Sequence, residues 1–70
     1  MKIFYAVTPK HSAVTRFADE GDYKRVYDLV KQITDSHEIA EEASSWCQLA
    51  SVGEIFDSDL FKVEIIEDVE

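Results

Sequence analysis

The sequence is poor in residues that cross-link a chain or interrupt its regular structure, with one cysteine, one proline and two glycines among 70 residues. A single cysteine cannot form an internal disulfide, so we expect Cys47 to be a reduced thiol that packs as a small hydrophobic side chain. Glycines at positions 21 and 53 alone exclude a glycine-rich phosphate loop. No apolar run approaches the roughly 18 residues of a membrane span, and the first residues do not resemble a signal peptide. We therefore expect one small cytoplasmic domain over residues 1–70.

Basic side chains are almost absent from the second half of the chain. Residues 34–70 carry eleven acidic side chains against Lys62, a net charge of −10, whereas residues 1–33 carry six basic and four acidic side chains, a net charge of +2. The six basic residues form no dense patch, so direct nucleic-acid binding is not expected. A skewed charge creates a field that can steer a partner, although a solvated acidic face would give the same composition.

The clearest helix signals lie between Asp35 and Gly53, around the only tryptophan and the only cysteine. Asp35 followed by Glu38 predicts a reciprocal N-terminal cap, and Gly53 predicts a left-handed residue at the C-terminal end. At about 100° per residue, one face of this helix holds mainly apolar side chains: Ile39, Ala40, Ala43, Trp46, Cys47, Leu49 and Ala50. The opposite face holds Glu38, Glu41, Ser44, Ser45 and Gln48. The pattern predicts a helix over about 36–50 that buries Trp46 and Cys47.

Strand patterns stand at the two ends of the chain. Residues 2–7 form an apolar and aromatic run with two apolar faces, and residues 60–67 alternate in the manner of a strand with one core face. A small hairpin from Ile55 across 57–59 is a further expectation, and 68–70 should form a frayed acidic end.

The region between the first strand and the long helix allows two interpretations. Thr8 and Pro9 fit a cap and a first helical residue, which favours a helix over about 9–20, and Asp22 fits the cap of another helix over about 22–33. Alternatively, 13–17 forms the second strand of a hairpin. The expected fold class is α+β, with an N-terminal strand, two or three helices at about 9–20, 22–33 and 36–50, and a C-terminal strand at about 60–67. The sheet would have two or three strands, with the helices on one face.

Candidate catalytic groups are isolated from one another in the sequence. The run 37–41 reads H-E-I-A-E, and a zinc-protease helix would need a second histidine where Glu41 stands. Cys47 has no base at suitable helical spacing, since His37 lies ten residues earlier. We therefore expect no enzyme activity, no metal site and no cofactor.

Two resemblances add to these patterns. The run 8–14, TPKHSAV, followed by Gly21-Asp22 and Val26, resembles an ankyrin repeat, which implies a helix, a Gly-Asp corner and a second helix. The glycine comes four residues late, Lys10 replaces a leucine and no second copy follows, so the chain is not taken as a true ankyrin repeat. Over 45–56, SWCQLASVGEIF, the chain resembles small uncharacterised proteins of Gram-positive bacteria and their phages, and this resemblance implies no catalytic residue.

These observations predict a non-enzymatic interaction protein, phage or mobile-element encoded, whose acidic side binds a basic protein surface. Its sharper form is an inhibitor that imitates nucleic acid. The expected partner-binding residues are all acidic: Glu38, Glu41, Glu42, Glu54, Asp57, Asp59, Glu64, Glu67 and Asp68. The alternative is a self-assembling structural or regulatory module that acts through a homodimer. Its expected contacts are apolar or aromatic: Phe4, Tyr5, Ile66 and Val69.

Overall fold

The structure is a computed structural model that describes residues 2–12 and 14–68. It contains four strands and two helices in the order β1 (Lys2–Pro9), β2 (Arg16–Asp19), α1 (Tyr23–Thr34), α2 (His37–Leu49), β3 (Ile55–Asp57) and β4 (Phe61–Asp68). The strands form one antiparallel sheet in the order β2-β1-β4-β3, so the N-terminal and C-terminal strands pair at its centre. The predicted α+β class, both terminal strands and the helices at about 22–33 and 36–50 are confirmed.

The helix predicted over about 9–20 is wrong, because this segment completes a hairpin with β1. Pro9 is the last residue of β1, and β2 pairs with β1 so that Tyr5 lies opposite Ala18 and Val7 opposite Arg16. A helix would need one continuous apolar face against the core, yet Phe17 is on the far side of the sheet and 53% exposed. The alternative hairpin strand is the correct kind of element, over 16–19 instead of 13–17. The hairpin from Ile55 into β4 is also present, which brings the sheet to four strands instead of two or three.

Strand alternation divides the sheet into a covered and an open face. Tyr5 and Val7 of β1 point toward the helices and are buried, whereas Phe4 lies on the opposite face. The core combines side chains from the covered face with one side of each helix: Tyr5, Val7, Ala18, Val26, Leu29, Val30, Ala40, Ala43, Cys47, Phe61, Val63 and Ile65. A four-stranded antiparallel sheet with both helices on one face leaves its second face open to solvent.

The two residues between α1 and α2 each cap one helix: Asp35 is the C-cap of α1 and Ser36 is the N-cap of α2. Asp22 begins α1, and its Oδ1 accepts a hydrogen bond from the Arg25 amide at 3.2 Å, as predicted. Asp35 does not begin α2; it ends α1 with φ of 54° and donates its amide to the Lys31 carbonyl at 2.8 Å. Ser36 is the N-cap of α2, and its Oγ accepts from the Ile39 amide at 3.3 Å. A link this short needs one residue that tolerates the left-handed region and a second that caps, which aspartate and serine provide in that order.

Helix α2 ends before the glycine predicted to terminate it. Its last residue is Leu49, Ala50 follows in an extended conformation, and Gly53 has φ of 94° in the turn that leads into β3. The Gly53 amide donates to the Ile65 carbonyl at 2.9 Å. Gly53 is therefore needed for its positive φ, but in the turn beside β4 instead of at the helix end.

The helices pack together as an antiparallel pair through small side chains. Ala40 and Ala43 of α2 are fully buried, which lets the two backbones approach closely. Ser44, late in α2, donates its hydroxyl to the carbonyl of Tyr23 at the start of α1 at 3.1 Å. In the part of the chain that the structure describes, neither helix is long and apolar enough to cross a membrane.

Candidate functional site

Three carboxylates predicted to bind a partner lie together on the outer surface of α2. Glu38, Glu41 and Glu42 are all exposed and line a shallow groove with Ser45. Their spacing of three and four residues places them on one side of the helix. We call this group, Glu38, Glu41 and Glu42, the α2 acidic surface.

A histidine and a tyrosine hold one member of the α2 acidic surface. His37 Nε2 lies 2.9 Å from Glu41 Oε2, and His37 Nδ1 lies 2.6 Å from the hydroxyl of Tyr27 in α1. With a neutral His37 that donates from Nε2 to Glu41, Nδ1 accepts from the Tyr27 hydroxyl. Both members of the His37–Glu41 pair are exposed, so the pair orients Glu41 more than it stabilises the fold. Among the described residues, Glu38 and Glu42 make no ion pair.

The acidic residues around the β3 hairpin are partly used by the hairpin itself. Glu54 accepts a hydrogen bond from the Ser51 amide and so closes the turn before β3. Asp57 Oδ1 lies 2.5 Å from Lys10 Nζ, and this hydrogen bond and the lysine charge lower the pKa of Asp57. Asp59 is exposed in the turn that leads to β4. Of these three, Asp57 already forms an ion pair with Lys10.

The acidic residues of β4 alternate between the two faces of the sheet. Glu64 and Asp68 lie on the open face, because their partners across β1 are Ala6 and Lys2, whereas Glu67 lies opposite Ile3 on the other side. The open face is directed away from the helices, so Glu64 and Asp68 cannot join the α2 acidic surface. The nine predicted carboxylates are thus divided among the outside of α2, the β3 hairpin and both sides of β4.

The open face of the sheet carries an apolar patch of four side chains, which we call the open-face patch: Phe4, Phe17, Ile55 and Ile66. Phe4, Phe17 and Ile66 line one depression together with Glu67 and Asp68, and Phe17 and Ile55 are each about half exposed. Phe4 and Ile66 were predicted from sequence as dimer contacts. Phe17 and Ile55 were missed, because only the sheet order brings β2 and β3 to the two edges of this face.

Of the other two predicted dimer contacts, Tyr5 is in the core. Tyr5 is only 3% exposed and belongs to the core, where its hydroxyl accepts from the Gly21 amide at 3.2 Å and its ring lies 6.0 Å from that of Tyr23. Burial raises the pKa of Tyr5. Tyr5 therefore cannot contact a second chain without unfolding part of the sheet. Val69 lies outside the described residues.

The only thiol of the chain lies in an apolar environment. Cys47 is 2% exposed on the core side of α2, and burial raises the pKa of its thiol to about 11. A nucleophilic cysteine needs the opposite shift and a nearby base. Among residues 2–12 and 14–68, no group of three or more histidine, cysteine or acidic side chains is arranged to hold a metal ion.

Comparisons with known protein families, curated proteins and solved structures found no match for the chain. The α2 acidic surface and the open-face patch are two exposed features of the described residues that a protein partner could recognise.

Proposed function

We propose that the protein is a non-enzymatic interaction protein whose α2 acidic surface binds a basic protein surface. The observation that carries this proposal is the grouping of Glu38, Glu41 and Glu42 on one exposed side of α2. Within the described part of the chain, His37 is the only basic residue with a side-chain nitrogen within ion-pair distance of this group. The charge of −10 over residues 34–70 adds a long-range attraction that would raise the rate of encounter with a basic partner.

An inhibitor encoded by a phage or another mobile element is the sharper form of this proposal. Such an inhibitor would insert carboxylates into a groove built for phosphates. Mimicry of a nucleic acid needs an extended row of charges, and the outside of α2 offers only three, with Glu64 and Asp68 on the opposite side of the protein. The geometry therefore favours a compact basic patch on the partner over a long nucleic-acid groove.

Replacement of Glu38, Glu41 and Glu42 by glutamine should weaken partner binding about 3- to 150-fold, since three exposed ion pairs of 0.2–1 kcal/mol each would be lost. Wild-type and variant chains are immobilised and exposed to an extract of the host cells, and the captured protein is eluted with rising salt. The variant should release it at a lower salt concentration, and titration calorimetry then gives the two affinities.

A matched control removes the same charge from other exposed positions. Asp19→Asn, Glu20→Gln and Asp28→Asn lie on β2, the following turn and α1. This variant should elute close to wild type, because net charge alone changes the encounter rate more than the lifetime of the complex. Equal weakening by both triple variants would show that overall charge, and not the α2 acidic surface, determines binding.

The open-face patch favours a second candidate, a module that acts through a homodimer. Exposed apolar side chains grouped on one sheet face are a common feature of interaction sites, because water contact with them is unfavourable. In the open-face patch, Ala6 and Glu64 lie between Phe17 and Ile55. Burial of Phe4 and Phe17 against a second sheet would give a two-layer sandwich.

Sedimentation at several concentrations tests the dimer. If the open-face patch pairs, wild-type protein should shift toward twice the monomer mass as concentration rises, and Phe17→Ser should weaken association about 10-fold or more. Leu49→Ser is the matched control, since Leu49 is 88% exposed at the end of α2 and away from the sheet. A wild-type chain that remains monomeric at millimolar concentration contradicts this candidate.

A further inference from the structure

Another concave site lies on the helix side of the protein, at the end of the helix pair where α1 ends and α2 begins, and its lining residues differ from those of the groove of the α2 acidic surface. It is a cavity of about 300 Å³ between the loop after β1 and the last turns of α1. Val7 and Leu29, both buried in the core, form its apolar floor together with Ile33. This size is at the lower limit of small-molecule sites, which combine an apolar lining with a few polar groups.

The polar groups of this cavity are donors gathered from three parts of the chain. Arg16 of β2, Gln32 of α1 and the loop residues His11 and Ser12 all line it. Arg16 pairs with Val7 across the hairpin, so the register places it on the covered side of the sheet, above the cavity floor. Among the described residues, no carboxylate lies within ion-pair distance of Arg16.

One apolar side chain at the rim is left uncovered. Val14 lines the cavity and is 60% exposed. An arginine without a carboxylate partner beside an uncovered valine offers one charged contact and one apolar contact in the same place. A ligand with a negative group and a short hydrocarbon body would satisfy both.

The walls of the cavity are held in place by hydrogen bonds. The Lys10 amide donates to the Leu60 carbonyl at 2.9 Å, and the hydroxyls of Thr8 and Thr15 lie 2.9 Å apart, which fixes both ends of the loop. A site formed before binding loses less conformational entropy when a ligand enters.

The nearby end of α1 does not repel an anion as strongly as a free helix end would. The Val30 carbonyl accepts from Thr34 Oγ1 at 3.0 Å, and the Lys31 carbonyl accepts from the Asp35 amide at 2.8 Å. Carbonyls with hydrogen-bond partners present less negative potential to the cavity than unpaired ones.

We propose that this cavity binds a small aliphatic monocarboxylate. The carboxylate accepts two hydrogen bonds from the Arg16 guanidinium, whose planar fork matches its two oxygens, and Ser12 and Gln32 supply further donors. The hydrocarbon body lies against Pro9 and Ile33, which are partly exposed, and covers Val14. This site is separate from the α2 acidic surface, which would repel such a ligand.

Titration of the full chain with hexanoate, followed by amide chemical shifts in NMR, tests the proposal. Saturable shifts should occur around the loop 10–15 and the end of α1, with a dissociation constant of the order of millimolar for a ligand of this size. Hexanol, which has the same chain length and no charge, should bind at least about 10-fold more weakly than hexanoate. Arg16→Gln should reduce hexanoate affinity to a similar extent, whereas Lys62→Gln, which removes a cation from the open face, should leave it unchanged.

A second variant separates loss of binding from loss of folding. Val14→Ser changes an exposed side chain and should keep the wild-type spectrum while it weakens hexanoate about 3- to 10-fold through lost apolar contact. Equal affinity for hexanol and hexanoate, unchanged hexanoate binding by Arg16→Gln, or shifts centred on the open-face patch would each overturn the proposal.

Discussion

Phe61→Ala is expected to lower the free energy of unfolding by about 3–5 kcal/mol, the usual cost of truncating a buried phenylalanine. A chain of this length has a total stability of only about 4–10 kcal/mol. The variant should therefore lose a large fraction of the total stability, and its urea midpoint should fall well below that of wild type. Phe61 is fully buried and is the largest of the fully buried side chains among the described residues.

The size of this effect follows from the position of Phe61 in an aromatic row. Its ring stacks on that of Phe56 in β3 with centroids 5.8 Å apart, and the Phe56 ring lies 5.6 Å from that of Trp46 in α2. Phe61 thus connects the central strand β4 with the edge strand β3 and, through Phe56, with a helix. A cavity at this position removes packing contacts within this aromatic row, and a close-packed interior cannot collapse far enough to fill it.

Urea unfolding followed by Trp46 fluorescence measures the loss. Leu60→Ala is the matched control, because Leu60 precedes Phe61 and is 46% exposed, and its truncation should cost less than about 1 kcal/mol. Similar midpoints for the two variants would contradict the core assigned to β4.

The helices and terminal strands could be predicted because their patterns are local. The helical spacing of Val26 and Val30 and the alternation of Phe61 and Val63 are each produced by one face of one element against the core. The helix over about 9–20 was predicted wrongly, because Thr8-Pro9 also fits the start of a helix. The ankyrin-like run 8–14 supported the same interpretation. Which element forms there is decided by the free edge of β1, and that edge is a tertiary feature the local sequence does not encode.

The candidate sites were predictable to different extents for the same reason. Glu38, Glu41 and Glu42 lie within five residues on one helix, and helical spacing placed Glu38 and Glu41 on its outer face from the sequence; the structure adds Glu42 to the same groove. The open-face patch combines Phe17 and Ile55 from opposite edges of the sheet and depends on strand order. The cavity beside Arg16 draws on two strands, a loop and α1, and no periodicity in the sequence relates them.

Modification of Cys47 by a thiol reagent is expected to be about 100-fold slower at pH 8 than modification of an ordinary exposed cysteine. The thiolate is the reactive form, and burial raises the pKa of Cys47 from about 9 to about 11, which reduces the thiolate fraction about 100-fold. Because the thiol is also shielded from solvent, reaction should depend on local opening of α2 and accelerate in urea. Since Cys47 is the only cysteine of the chain, the absorbance released by Ellman's reagent reports this single site.

The double variant Ser45→Cys with Cys47→Ala provides the control for this slow reaction. Ser45 is exposed on the same helix, so its replacement presents a thiol to water and should react at the rate of a model thiol. If wild-type protein reacted as fast as this variant without denaturant, Cys47 would be accessible, and a nucleophilic role for it would return to consideration.

The same raised pKa predicts the direction in which stability changes at high pH. The unfolded chain releases the Cys47 proton near pH 9 and the folded chain only near pH 11, so above pH 9 the folded state binds more protons. Stability therefore falls as pH rises between these values, because deprotonation favours the unfolded state. Cys47→Ala removes this contribution, and its urea midpoint should fall less between pH 8.5 and pH 10.5 than that of wild type. An equal fall in both proteins would mean that Cys47 ionises in the folded state as readily as in the unfolded chain, contrary to its burial against the core.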